Sequence, residues 1–260
     1  MILRAEQIRK SYHNEKSVLS NVNLTIEQGQ FVALLGPSGS GKTTLLRCLT
    51  LLEKPSAGRI YFNETELLNL SAKQTVEVRR KWAYIGQRTS LIRRKSALNN
   101  VLAGRLNEMP LWKVILGNFP DADKEKALQA LERVGLKDMA HQRADRLSGG
   151  QQQRVAIARA IVQEAVVIYA DEPVASLDPE SAKRVLADLR MLCEETGTTI
   201  LCSLHQVDLA ETYATRIVGL SDGKIALDIP ARLLTEEEKD RIYTREEQTN
   251  GDSRTKTTTS

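Results

Sequence analysis

The chain has 260 residues, 41% of them hydrophobic, enough for a core of ordinary size and too many for a chain disordered as a whole. Lysine and arginine number 37 against 33 aspartate and glutamate, and the resulting net charge of +4 is too small and too dispersed to argue by itself for nucleic acid. Cys48, Cys193 and Cys202 are far apart and form no CxxC pair, so they read as buried reduced thiols rather than a disulfide framework or a zinc site. No run reaches the ~18 consecutive apolar residues of a spanning helix. Met1-Ile2-Leu3-Arg4-Ala5-Glu6 meets an acid too early for a signal peptide, so the sequence predicts a cytosolic chain, one that could serve a membrane process only through a partner.

In chain order, Leu24 and Ile26 alternate and Phe31-Val32-Ala33-Leu34-Leu35 is a continuous apolar run; these predict two strands joined by a turn at Glu27-Gln28-Gly29-Gln30. The second strand runs into Gly36-Pro37-Ser38-Gly39-Ser40-Gly41-Lys42-Thr43, which fits G-x-x-x-x-G-K-[ST], and the helical Thr44-Leu45-Leu46-Arg47 follows. Glycines let successive backbone N–H groups converge on phosphates, and the helix adds its positive end. Lys42 is expected on the β- and γ-phosphates and the Thr43 hydroxyl on Mg²⁺. From about 87 to 163 the strand signal gives way to helical periodicity, as at Ala127, Leu128, Leu131 and Val134 after the acidic start Asp121-Ala122-Asp123, which predicts a helical lobe inserted in an α/β core.

Within that stretch, Leu147-Ser148-Gly149-Gly150-Gln151-Gln152-Gln153-Arg154 presents a hydroxyl and unobstructed N–H groups at the start of a helix predicted over Gln151 to Ile161. A serine-capped helix is the competing explanation. Val166-Val167-Ile168-Tyr169-Ala170 predicts a buried strand that delivers Asp171 and Glu172, the first suited to a magnesium shell and the second to accepting a proton from an attacking water. A helix from Pro179 to about Glu195 and a strand over Thr199 to Leu204 complete a βαβ pattern. Ser221-Asp222-Gly223-Lys224 predicts a hairpin turn between Ile217-Leu220 and Ile225-Leu227, and the polar run after Tyr243 predicts a disordered tail. One phosphate loop and one Leu-Ser-Gly-Gly sequence occur, so two anion cradles with one magnesium site suggest pairing between molecules.

On these motifs the sequence resembles the ATP-binding cassette family over about residues 3 to 230. The resemblance implies an α/β fold with a phosphate-loop (RecA-like) ATPase core at 1–86 and 164–230, an antiparallel β subdomain early in the chain, a helical subdomain at 87–163, and a cassette of 1–245 with a tail at 246–260. ATP and Mg²⁺ are its implied cofactors. ATP would lie on Gly36 through Thr44, and Ser148, Gly149, Gly150 and Gln151 would close over the nucleotide of a second copy, making a homodimer. Tyr12 looks like the aromatic that stacks on adenine, Gln87 like the glutamine that senses magnesium, and His205 like the histidine on the γ-phosphate. Ser176-Leu177-Asp178 looks like the loop at the dimer interface, with a helix cap at Asp178 before Pro179 as the alternative. His13 and His141 match no such role.

A narrower likeness, to the ATPase subunits of phosphonate importers, rests on Lys126 to Leu136, on His141-Gln142-Arg143-Ala144, on Ala170 to Ala182, and on a tryptophan-containing insertion at Met109 to Phe119. Arg88-Thr89-Ser90 departs from the Gln-Phe-Asn usual after the lobe-junction glutamine there. The likeness implies import of phosphonate or a related oxyanion such as phosphite, an integral membrane permease, an extracytoplasmic solute-binding protein, a place on the cytoplasmic face of the plasma membrane, and no nucleic acid. Import of polar amino acids, or a soluble cassette ATPase acting on nucleic acid or ribosomes, are the alternatives. The apolar cluster Trp112, Val114, Ile115, Leu116 and Phe119 is expected either in the core or, with Arg88 and the run Arg93-Arg94-Lys95, in a groove for a permease helix.

Overall fold

The computed structural model describes residues 1–12, 17–86, 90–108 and 119–243. The strands are β1 (Leu3–Lys10), β2 (Leu19–Ile26), β3 (Phe31–Leu35), β4 (Ala57–Phe62), β5 (Thr65–Glu66), β6 (Trp82–Gly86), β7 (Val167–Asp171), β8 (Thr199–Ser203), β9 (Arg216–Ser221) and β10 (Lys224–Pro230). The helices are α1 (Lys42–Leu49), α2 (Ala72–Arg79), α3 (Ala97–Leu102), α4 (Asp121–Arg133), α5 (Gly149–Val162), α6 (Pro179–Thr196), α7 (Val207–Tyr213) and α8 (Glu236–Tyr243). They fall into two compact units, one of residues 1–26, 32–68 and 203 onward, the other of 27–31 and 69–202.

In the first unit, β2-β1-β4-β5 form a four-stranded antiparallel sheet. Leu3, Ala5 and Ile8 of β1 are all buried although Ala5 and Ile8 are an odd number of residues apart. A register shift between them, with Gln7 at φ +51°, restores the inward face. The same unit holds β10, β9 and β3 in that order, β3 and β9 parallel from Val32↔Arg216 to Leu35↔Gly219, β9 and β10 antiparallel. The predicted hairpin turn is present, with positive φ at both Asp222 and Gly223, the geometry that suits a two-residue connection. Ile242 of α8 is buried against Gly219, where even one added methyl would lie 2.7 Å from it.

The second unit places β8, β7 and β6 side by side, with β6 and β7 parallel from Trp82↔Val167 to Gly86↔Asp171. All five residues of β7 and of β8 are buried, in keeping with the apolar runs Val167 to Ala170 and Ile200 to Cys202 that make up most of each strand. Between 90 and 163 the described elements are α3, α4, α5 and short 3-10 turns, with one isolated bridge at Ser96↔Arg143. α4 buries Ala127, Ala130 and Leu131 on one side, whereas α5 buries Val155, Ala156, Ile157, Ala158, Ala160 and Val162 and is enclosed on most of its circumference. Arg105, itself buried, pairs with Asp123 at 3.1 Å and donates to the Val162 carbonyl at 3.3 Å, tying the α4 start to the α5 end.

α5 begins two residues earlier than expected, at Gly149 rather than Gln151, because Ser148 is the residue that caps it. β1, β4, β5, β6 and α2 were not individually legible as elements; α2, which buries no side chain, offers no apolar stripe to read.

Candidate active site

In the first unit the phosphate loop leaves the buried end of β3 at Gly36. There φ is +152° and a Cβ would lie 2.1 Å from the Leu220 carbonyl oxygen, so no other residue fits. Gly41, at φ +105°, is hemmed in the same way by Leu19 and the Val18 carbonyl, both 2.9 Å from a Cβ placed there. Gly41 heads α1 without a side-chain cap, so the helix offers an anion its first-turn N–H groups and its positive end. Lys42 is buried, and its ammonium donates to the Gly36 and Pro37 carbonyls at 2.6 and 2.9 Å, which holds the charge over the loop. Thr43 is exposed, Thr44 half-buried; Ser38 and Gly39 are exposed, and the Ser40 N–H closes the turn onto Pro37 at 3.2 Å.

Two more expected residues lie in this unit. Leu204 donates to the Leu34 carbonyl at 3.1 Å, so the chain entering exposed His205 runs beside the strand that feeds the phosphate loop. Tyr12 is 37% exposed and donates its hydroxyl to the Glu53 carboxylate, which raises the phenol pKa above its ordinary value.

The second unit carries the acids. Asp171, at the end of β7, is 8% exposed, and Oδ2 accepts a hydrogen bond from the Tyr84 hydroxyl at 2.9 Å. Sequence reasoning missed Tyr84, because no motif marks it and only the β6–β7 register brings it to Asp171. Glu172 follows at φ +51°, an uncommon conformation for a glutamate and a form of backbone strain that collects at functional sites.

Ser148 and Gln151 form a reciprocal capping box: the Ser148 hydroxyl accepts from the Gln151 N–H at 3.3 Å and the Gln151 side chain accepts from the Ser148 N–H at 2.9 Å. The capped-helix explanation is thus realised in the structure, while Ser148 and Gly149 remain exposed. Gly150 is buried because a Cβ there would meet that of Ser181 at 2.9 Å, and Gly149 lies close to Leu177. Asp178 likewise caps α6, accepting from the Ser181 N–H at 2.9 Å, and that bond lowers its carboxyl pKa. The α5 and α6 starts therefore lie side by side.

Gln87, Arg88 and Thr89, most of the cluster at 109–119 including Trp112, Val114, Ile115 and Leu116, His13, and the tail at 246–260 lie outside the described residues. Arg93, Arg94 and Lys95 are described and exposed. Among the described residues no group of three or more His, Cys, Asp and Glu could hold a metal. One hydroxyl and one carboxylate are nonetheless the oxygen donors that suit Mg²⁺, which keeps several waters and takes further oxygens from phosphates. Among the described residues no helix is long and apolar enough to cross a membrane.

Residues 19–175 match the family model described as ABC transporter. The chain belongs to the ABC transporter family. Among proteins similar to this ABC chain are two phosphonates import ATP-binding proteins PhnC of Staphylococcus aureus. That of strain MRSA252 is 47% identical over 94% of this chain and 95% of its own; that of strain USA300 is 48% identical over 92% and 93%. Similar solved structures include the dimeric post-hydrolysis state of the ATP-binding cassette MJ0796 bound to ADP and Pi, with TM-score 0.78 and 32% identity, covering 90% of this chain and 100% of that one. Another is cbiO1 from Clostridium perfringens, part of the ABC transporter complex cbiONQ, with TM-score 0.80 and 29% identity, covering 92% and 93%. The ABC chain has the P-loop ATPase fold the sequence predicted, and its expected likeness to phosphonate-importer ATPase subunits is borne out.

Proposed function

We propose that this chain is the ATP-hydrolysing subunit of an ABC importer for phosphonate or a related phosphorus oxyanion, working as a homodimer on the cytoplasmic face of the membrane beneath an integral permease served by an extracytoplasmic solute-binding protein. The observation that carries the reading is the loop Gly36–Thr43, where two positions accept only glycine and α1 begins without a side-chain cap, a cradle built for phosphates. The identity to phosphonates import ATP-binding proteins over nearly the whole chain supports the cargo.

Lys42 neutralises the β- and γ-phosphate oxygens, and Tyr12 offers its ring to the base. Thr43, Asp171 and, as the family resemblance implies, Gln87 would hold Mg²⁺, which when bound neutralises phosphate charge as the terminal P–O bond breaks. Glu172 takes the proton of the attacking water, and His205 steadies the γ-phosphate against which that water is aligned. Ser148, Gly149, Gly150 and Gln151 of one copy close over the nucleotide of the other, with Asp178 beside that closure. Arg93-Arg94-Lys95, exposed and basic, together with Arg88, supply charge for a cytoplasmic helix of the permease.

The test is ATP hydrolysis by this chain assembled with its permease in liposomes, with solute-binding protein supplied outside. Stimulation by a phosphonate-loaded binding protein is expected. Stimulation only by a polar amino acid and its receptor would replace the cargo, and assembly with ribosomes or nucleic acid in place of a permease would replace the reading.

A further inference from the structure

Tyr12 is an exposed aromatic just beyond the end of β1, a place where a ring should sample several rotamers, yet it is held on two sides. Its hydroxyl donates to Glu53 Oε2, while the Lys10 ammonium sits 4.9 Å from the ring centroid and covers one face. Glu53 is the hub of this arrangement. Its other oxygen, Oε1, pairs at 2.8 Å with Arg47 in the last turn of α1, the helix that the phosphate loop begins. Lys10 lies 3.9 Å from Glu53 and is fixed by donating to the Lys54 carbonyl at 2.8 Å.

We infer that Glu53 is a positioning residue for base recognition, coupling the Tyr12 ring to α1 so that a base and a triphosphate are received in one fixed relation. This rests on the proposed stacking role of Tyr12. A ring locked before the ligand arrives keeps its rotamer entropy out of the binding step, and an aromatic face is a surface on which a base can stack. Lys10 occupies one face, so stacking is directed to the other. Arg47 ties the platform to the helix rather than to the ligand, which separates this role from that of Lys42.

The experiment compares ATP with inorganic tripolyphosphate as ligands of the full chain by calorimetry, for the wild type, Glu53→Ala and Tyr12→Ala, with melting temperatures to check folding. Tyr12→Ala is expected to weaken ATP about tenfold and leave tripolyphosphate unchanged. Glu53→Ala is expected to reproduce at least threefold of that loss, again for ATP alone, and Glu53→Gln, which can still accept from the Tyr12 hydroxyl, to recover part of it. An effect of Tyr12→Ala with none of Glu53→Ala overturns the inference and leaves the stacking reading standing. No effect of Tyr12→Ala removes the stacking reading, and the inference with it. Equal loss for both ligands on Glu53→Ala also overturns it, because that pattern belongs to a disturbed phosphate loop.

Discussion

Asp171 and Glu172 are adjacent in sequence but differ sharply in setting, and the difference predicts different variants. Asp171 is buried, bonded by Tyr84 and at the end of a fully buried strand; Glu172 is half-buried and turned out of the strand by its positive φ. Glu172→Gln is expected to keep ATP affinity and lose at least about a hundredfold in turnover, because an amide holds the shape and cannot accept the water's proton. ATP should then trap a dimer visible by size-exclusion chromatography, and wild-type turnover would show that Glu172 is not the base. Tyr84→Phe keeps the ring and removes only the donor to Asp171. If Asp171 holds Mg²⁺ as proposed, its partner should matter as those that orient a metal ligand typically do, roughly 10–100-fold in metal affinity, so the Mg²⁺ concentration for half-maximal ATPase should rise about tenfold with little change in melting temperature. Mn²⁺ binding followed by electron paramagnetic resonance gives the same comparison without turnover, and an unchanged midpoint would reduce Tyr84 to packing.

The joined starts of α5 and α6 can be tested as elements. An alanine at Gly150 would press on the Cβ of Ser181 at 2.9 Å, an overpacking that costs ~1–3 kcal/mol. Ser181→Gly removes that Cβ at roughly 1 kcal/mol of helix propensity. The double variant should therefore melt higher than the sum of the two single effects predicts, and strict additivity would show that the two helix starts do not bear on each other.

Further along α6, burial pushes the Asp188 carboxyl up from 3.8 to about 6, while Arg154 and Arg184 pull it back. Asp188 Oδ2 is buried without a hydrogen-bond partner. The sign follows from proton uptake: between about pH 4 and 6 the folded chain holds this proton more tightly than the unfolded one, so this group's contribution to stability falls as pH rises through that window and stays low above it. Asp188→Asn should leave melting near pH 4 unchanged and raise it at pH 8; an equal shift at both would sink the assignment.

For the whole molecule, the proposed pairing predicts complementation. Ser148→Arg should block hydrolysis and spare nucleotide binding, since the serine serves the partner copy's ATP, and Lys42→Ala should weaken binding in its own copy. In a mixed dimer one composite site carries both lesions and the other none, so ATPase activity should return toward half of wild type per dimer; none in a heterodimer verified by mass spectrometry would argue against shared sites that fire independently. Local chemistry was readable in the sequence itself. The phosphate loop is specified by contiguous residues because backbone N–H groups must converge within a few residues, and a strand such as Val167–Asp171 announces itself because its residues up to Ala170, buried on both faces, are apolar without a break. The tertiary structure alone decided what depends on register and approach: Tyr84 reaches Asp171 through the pairing of strands far apart in sequence, Gly150 is small because Ser181 is there, and Glu53 holds Tyr12 from 41 residues away. Such contacts are set where separate segments pack together, and no spacing along the chain encodes them.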